Sequence, residues 1–80
     1  MRFKIGKYYL GNGPEVYENR IFLVLEVGES GWVRRRSWDV DFLGAEAHYG
    51  AGREEWLNTN YFRSIDEIKD IEQQYPGFPG

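Results

Sequence analysis

The segment Arg20-Ile21-Phe22-Leu23-Val24-Leu25-Glu26-Val27 decides the fold. It is a nearly continuous apolar run, rich in β-branched and aromatic residues and too short for a typical buried helix. A run of this length and composition predicts a central β-strand with both faces covered. The next four residues, Gly28-Glu29-Ser30-Gly31, have the composition of a hairpin turn, so we expect the chain to turn back as an antiparallel neighbour.

The segment after this turn predicts a long third strand, from Trp32 to about Phe42. Apolar and charged residues there follow a two-residue period, which places alternate side chains on opposite faces of a sheet. One predicted face carries Trp32, Arg34, Arg36, Trp38, Val40 and Phe42, and the other carries Val33, Arg35, Ser37, Asp39 and Asp41. The strand is long enough to bend or to contain a bulge.

Weaker patterns on either side predict further strands, which together occupy about residues 2–62. Arg2 to Leu10 alternates weakly and predicts a first strand, ended by the turn residues 11–14. Leu43 to Arg53 is rich in Gly and Ala and predicts a mobile loop around His48 and Tyr49. Glu54 to Phe62 predicts a short fourth strand.

The C-terminal segment predicts an amphipathic helix over about residues 64–75. Ser64-Ile65-Asp66-Glu67 has the pattern of a capping box, in which Ser64 and Glu67 satisfy each other's backbone amides. An apolar stripe at spacings of three and four residues follows, made of Ile65, Ile68, Ile71 and Tyr75. Pro76 ends the helix, and residues 76–80 form an irregular tail.

These elements predict one domain over residues 1–80, of class α+β but mostly β. We expect a four- to five-stranded antiparallel meander, either an open sheet or a small closed barrel, with the helix packed on it. The pattern Phe3-x-Ile5-Gly6-x-Tyr8, the apolar second strand, the glycine turn and the tryptophan-bearing third strand resemble SH3-like small β-barrels over about the first sixty residues. The resemblance implies a peptide, nucleic-acid or assembly module. The ALYDY and double-proline landmarks of eukaryotic SH3 domains are absent.

Composition excludes several classes of site. The chain has no cysteine, which excludes disulfides, thiol catalysis and cysteine-ligated metals. We therefore expect no cofactor and no bound metal. The N-terminal residues do not resemble a signal peptide, and no apolar run is long enough to span a bilayer, so we predict a cytoplasmic protein without a membrane partner. The net charge is −3, and four acids and one base from Ser64 onward account for all of it.

The Arg34-Arg35-Arg36 run, flanked by Trp32 and Trp38, is the sharpest candidate for a binding site. Arginine and tryptophan are both enriched in protein-binding hot spots. The alternative is an exposed strand whose arginines pair with acids across the hairpin. The predicted partner-binding residues are Trp32, Arg34, Arg35, Arg36, Trp38, Tyr49, Asp66 and Asp70.

The function predicted from these residues is binding of a protein, without catalysis. Very short, acidic, cysteine-free and aromatic-rich domains resemble small phage-encoded proteins, including inhibitors of host nucleases, and this resemblance implies inhibition by steric occlusion. Nucleic-acid binding through Arg34 to Arg36 is the second hypothesis, although the acidic balance disfavours it. Exposed strand edges also allow a homodimer.

The remaining polar and aromatic residues carry weaker predictions. His48, oriented by Asp39, Asp41 or Glu46, is the only candidate general base, and a structural role is the preferred interpretation. Trp56, Tyr61 and Phe62 are predicted to lie in the core under the isoleucine stripe. A surplus of rings predicts an exposed aromatic patch, with the candidates Tyr8, Tyr9, Tyr17 and Tyr49.

Overall fold

The computed structural model describes residues 2–15, 18–43 and 46–80. The described chain forms six β-strands, a 3₁₀ turn over Thr59–Tyr61 after the fifth strand, and one short helix. The strands and helix are β1 (Tyr8–Asn12), β2 (Arg20–Val27), β3 (Trp32–Leu43), β4 (Glu46–Tyr49), β5 (Arg53–Asn58), β6 (Ser64–Ile68) and α1 (Ile71–Gln74). The mostly-β class is therefore confirmed, with more strands than the four or five expected.

The strands form one antiparallel sheet in the order β4-β3-β2-β1-β6. The apolar strand β2 lies in the centre between β1 and β3, as predicted. The long strand β3 has two neighbours on its other side, since its first half pairs with β5 and its second half with β4. No strand pairing within the described residues joins β6 to β4 or β5, so the sheet is open and a closed barrel is not confirmed.

The predicted turn between β2 and β3 is confirmed and is held by hydrogen bonds. The Gly28 amide donates to the Trp32 carbonyl at 2.8 Å. Ser30 and Gly31 both have positive φ, 56° and 85°, and glycine adopts this conformation without steric cost. The Thr59 hydroxyl donates to the Gly31 carbonyl at 2.6 Å, which ties the turn to the end of β5.

Two hydrophobic clusters cover opposite faces of the sheet, because successive residues of a strand point to opposite sides. The front cluster contains Tyr9, Phe22, Val24, Val33 and Phe62. The back cluster contains Ile21, Trp38, Val40 and Ile68, with Tyr8, Tyr49, Ile71, Tyr75 and Phe78 packed against it. The buried side chains of β3 therefore change face along the strand. They lie on the front as far as Ser37 and on the back from Trp38 onward.

The predicted helix over residues 64–75 is wrong for its first half. Ser64–Ile68 is the strand β6, which pairs with β1, and the helix is limited to Ile71–Gln74. The Ser64 hydroxyl does not cap a helix and accepts a hydrogen bond from the Asn12 side-chain amide at 2.9 Å. The open edge of β1 supplies backbone partners along the whole of Ser64–Ile68, and local capping chemistry does not outweigh that pairing. Within the described residues, no helix is long and apolar enough to cross a membrane.

Two further boundaries differ from the prediction. The first strand begins at Tyr8 and continues through Gly11 and Asn12, which were expected to end it. The position suits a glycine because the Phe62 ring lies directly over the backbone there. A Cβ at Gly11 would come within 2.8 Å of that ring. The expected loop over 43–53 contains the strand β4, which pairs with the second half of β3. Residues 44 and 45 of that prediction lie outside the described residues.

Candidate binding surfaces

One candidate surface lies on the back of the sheet, where β3 and β5 pair. Trp32, Arg34 and Arg36 alternate along β3 and therefore share this side. The register sets Trp56 of β5 opposite Arg34 and Glu54 opposite Arg36. These five residues form what we call the tryptophan surface. Topology alone brings Trp32 and Trp56 together, because they lie on different strands and at diagonal positions of the pairing.

Both indoles of the tryptophan surface are half exposed. Trp32 retains 44% of its accessible area and Trp56 retains 46%. The Trp56 ring rests on the β2–β3 turn, since a Cβ at Gly28 would lie 2.9 Å from it. The backbone thus supports this ring at one side, and about half of the residue's area stays exposed to solvent. Two large exposed rings on one side of a rigid sheet are typical of a protein-binding surface.

The exposed arginines of this surface each have an acidic partner. Arg34 Nε lies 3.2 Å from Glu26 Oε1, and Arg36 Nη2 lies 3.4 Å from Glu54 Oε1. The alternation of β3 points the third arginine of the run, Arg35, to the front of the sheet. The Arg34-Arg35-Arg36 run is therefore divided between two faces, and it does not form the continuous basic patch that phosphate backbones need.

A groove of about 520 Å³ borders the tryptophan surface. Its walls are Arg36 and Trp38 of β3, the segment 50–54 and the C-terminal residues Pro79 and Gly80. Gly52 lies against the edge of the Trp38 ring, since a Cβ at Gly52 would come within 2.7 Å of the indole nitrogen. The surface thus combines projecting rings with an adjacent concavity.

The other predicted partner-binding residues lie elsewhere. Trp38 is buried, and the ring of Phe78 packs edge-on against it with 4.7 Å between centroids. Tyr49 also packs against Phe78, at 5.4 Å. Asp66 lies on β6 at the opposite edge of the sheet, and Asp70 caps α1 by accepting a hydrogen bond from the Gln73 amide at 3.2 Å. The eight predicted residues are therefore not one surface.

A second candidate site lies on the front of the sheet and was not expected from the sequence. Three arginines from three strands surround a cavity of about 240 Å³, which we call the arginine pocket. Strand β2 contributes Arg20 to its walls, and β3 contributes Arg35. The remaining walls are Tyr61 and three residues of β5, namely Arg53, Glu55 and Leu57. The register explains this convergence, because Arg53 lies opposite Ser37, two residues from Arg35 on the same side of β3.

Arg35 is the buried member of the arginine pocket, with only 2% of its area exposed. Its Nη2 donates to Glu55 Oε1 at 2.9 Å, and its Nη1 donates to the Ser37 hydroxyl. Its Nε is buried and has no hydrogen-bond partner in the described part of the chain. Burial lowers the pKa of Arg35 against the opposing effect of Glu55, and the nearby charges of Arg20 and Arg53 lower this pKa further.

His48 lies on β4, directly opposite Asp41 of β3. Asp39, Asp41, His48 and Tyr49 line a shallow cavity of about 310 Å³. Asp39, one of the expected orienting acids, is engaged by Arg20 at 3.1 Å and by Arg53 at 3.6 Å. The side chain of Glu46 lies outside the described part. No cluster of metal-ligating residues occurs among the described residues.

The predictions for the other rings have mixed outcomes. Phe62 is buried as expected, but the prediction that Trp56 and Tyr61 are core residues is wrong, since both are about half exposed. Tyr9, a candidate for an exposed patch, is buried. Tyr17, another such candidate, lies outside the described residues.

Comparison of the chain with models of protein families, with curated proteins and with solved structures finds no match. The function is therefore inferred from the geometry of these two sites.

Proposed function

We propose that the domain is a protein-binding module that contacts its partner through the tryptophan surface. The half exposure of Trp32 and Trp56 on one side of the sheet is the observation that carries the proposal. Burying a large aromatic ring removes about 150–250 Å² from water, and tryptophan is the residue most enriched in hot spots. The ion pairs of Arg34 and Arg36 border the rings, as the polar rim of an interface does.

The adjoining groove supports the same proposal. Its volume of about 520 Å³ is large enough for one or two side chains of a partner. The free edge of β5 lies beside it, and β5 pairs with β3 alone in the described chain. An extended segment of a partner can therefore add to this edge while its side chains enter the groove.

Nucleic-acid binding stays the alternative hypothesis. Steric occlusion of an enzyme is the mode of action that we expect of the protein-binding module, and self-association through strand edges is a further hypothesis. The division of Arg34 and Arg35 between two faces favours a protein over nucleic acid. The salt dependence of binding separates the two, because phosphate contacts weaken steeply as salt rises.

The test is affinity capture from a lysate of the source cells, treated with nuclease, with a double variant Trp32→Ser/Trp56→Ser. The matched control is Ile5→Ser, which removes an exposed apolar side chain that is not part of this surface (Ile5 is 66% exposed). We expect a protein that the wild type and the control retain, and that the double variant binds at least about 30-fold more weakly, as for the loss of one hot spot of 2 kcal/mol. Equal retention by the double variant contradicts the proposal, and capture that nuclease abolishes supports the alternative.

A further inference from the structure

We propose that the arginine pocket binds the phosphate group of a small phosphomonoester. This site lies on the front of the sheet and is independent of the tryptophan surface on the back. It is carried by the convergence of Arg20, Arg35 and Arg53 on one cavity of about 240 Å³.

The charges of the arginine pocket are incompletely balanced. Among the described residues, two carboxylates serve three guanidinium groups: Glu55 pairs with Arg35, and Asp39 is shared between Arg20 and Arg53. The local excess is therefore one positive charge, in a chain whose net charge is −3. Like charges held together at the protein surface repel, and an anion between them removes that repulsion.

The hydrogen-bond donors of the pocket are also in excess. A guanidinium group carries five N–H donors and no acceptor. Arg35 has Glu55 Oε1 and the Ser37 hydroxyl as its side-chain partners, and its Nε has none among the described residues. A buried charged donor without a partner is costly, and an oxyanion at the mouth of the cavity would accept from the guanidinium groups around it.

The shape of the pocket favours phosphate over carboxylate. The three arginines approach from three different strands, β2, β3 and β5, and a tetrahedral phosphomonoester has three terminal oxygens to receive them. A planar carboxylate has two oxygens and matches one or two guanidinium groups. Leu57 and the half-exposed ring of Tyr61 form an apolar wall on which the organic part of the ligand can rest. The net negative charge of the chain disfavours a polyanion and suits a single phosphate group.

The test measures thermal unfolding against the concentration of inorganic phosphate, of phenyl phosphate and of acetate, at constant ionic strength adjusted with chloride. At ten times the dissociation constant, the stabilisation raises the Tm of a domain of this size by about 6–11 °C. Phenyl phosphate, whose ring can contact Tyr61, is expected to reach half its effect at a lower concentration than inorganic phosphate. Acetate is expected to have no saturable effect.

The variants Arg20→Gln and Arg53→Gln each remove one guanidinium group from the pocket, and Arg63→Gln is the matched control. Arg63 is exposed and does not line the cavity. We expect each pocket variant to bind phosphate about tenfold more weakly or worse, because a charged hydrogen bond contributes about 1.5–3 kcal/mol. The control is expected to bind as the wild type does. Arg35 is kept, and the shift of its Nε–Hε resonance during the phosphate titration reports on the site directly.

A rise in Tm that is equal in all four proteins would overturn the proposal, since it would be the general effect of phosphate on protein hydration. Acetate as effective as phosphate, or an Arg35 Nε–Hε resonance that does not move, would overturn it as well. These outcomes leave the tryptophan surface untouched, because none of its residues is changed.

Discussion

The ion pair between Arg35 and Glu55 is asymmetric, and its two halves are predicted to differ in their contribution to stability. The Arg35 side chain is 3% exposed and that of Glu55 is 52% exposed. Arg35 thus carries almost the whole cost of leaving water, whereas Glu55 is still largely hydrated. The informative substitutions are Glu55→Gln, which removes the anion, and Arg35→Met, which replaces the buried cation by an apolar side chain of similar length.

The expected magnitudes follow from burial. Removing one partner of a fully buried pair costs about 3–5 kcal/mol, because it leaves an uncompensated charge. Solvent screens the half-exposed Glu55, so we expect Glu55→Gln to cost about 1–3 kcal/mol. Arg35→Met loses the hydrogen bonds to Ser37 and to Glu55, but the half-exposed carboxylate of Glu55 regains water and a cation is no longer buried. Because methionine is a flexible apolar side chain that can fill the space left by the guanidinium group, we expect a net change within about 1 kcal/mol of wild type.

The assay is urea unfolding followed by tryptophan fluorescence, repeated at low and high salt. The control is Glu54→Gln, which breaks the ion pair with Arg36, whose two side chains are both about half exposed. That exposed pair is expected to contribute less than about 1 kcal/mol, and less still at high salt.

A larger loss of stability for Arg35→Met than for Glu55→Gln would refute this reasoning. It would mean that the packing and hydrogen bonds of Arg35 outweigh its desolvation, so that Arg35 is a stabilising core residue. The expected order, by contrast, indicates that the fold does not need a buried guanidinium group there. Its presence would then be accounted for by a ligand of the arginine pocket.

Two further predictions concern packing and pH. Gly11→Ala is expected to lower stability by about 1–3 kcal/mol, because the added Cβ would come within 2.8 Å of the Phe62 ring. The control is Gly50→Ala, whose Cβ would lie at an ordinary contact distance of 3.6 Å from Asp39. This control is expected to be neutral or slightly stabilising. Burial raises the pKa of Tyr49 and of Tyr75. The stability that these hydroxyls contribute is therefore complete below pH 10 and is lost as the pH rises through the pKa of the folded state. Tyr49→Phe is expected to reduce this loss of stability at alkaline pH.

Urea unfolding of both glycine variants and a pH series from 8 to 12 check these predictions. Equal stability of Gly11→Ala and Gly50→Ala would contradict the close packing of Phe62 on β1. An alkaline loss that is identical in wild type and Tyr49→Phe would contradict the role of the buried Tyr49 hydroxyl.

The sequence by itself determined the elements whose pattern is strong and local. The apolar run of β2 admits one interpretation, a strand covered on both faces, and the glycines after it require a turn. The two-residue period of β3 correctly separated Arg34 and Arg36 from Arg35. These features depend on side-chain alternation and on backbone conformations that few residues other than glycine adopt, and both can be recognised in a short window.

Tertiary structure decided the rest, because the deciding contacts join residues far apart in the chain. Ser64–Ile68 has the local signals of a helix start, but the open edge of β1 offers hydrogen bonds along its whole length and the segment becomes β6. Register across β3 and β5 brings Trp56 next to Arg34 and Arg53 next to Ser37, and neither pair has a signal in sequence. Both candidate sites depend on this register, since strand pairing sets which side chains share a face and no local pattern specifies the pairing.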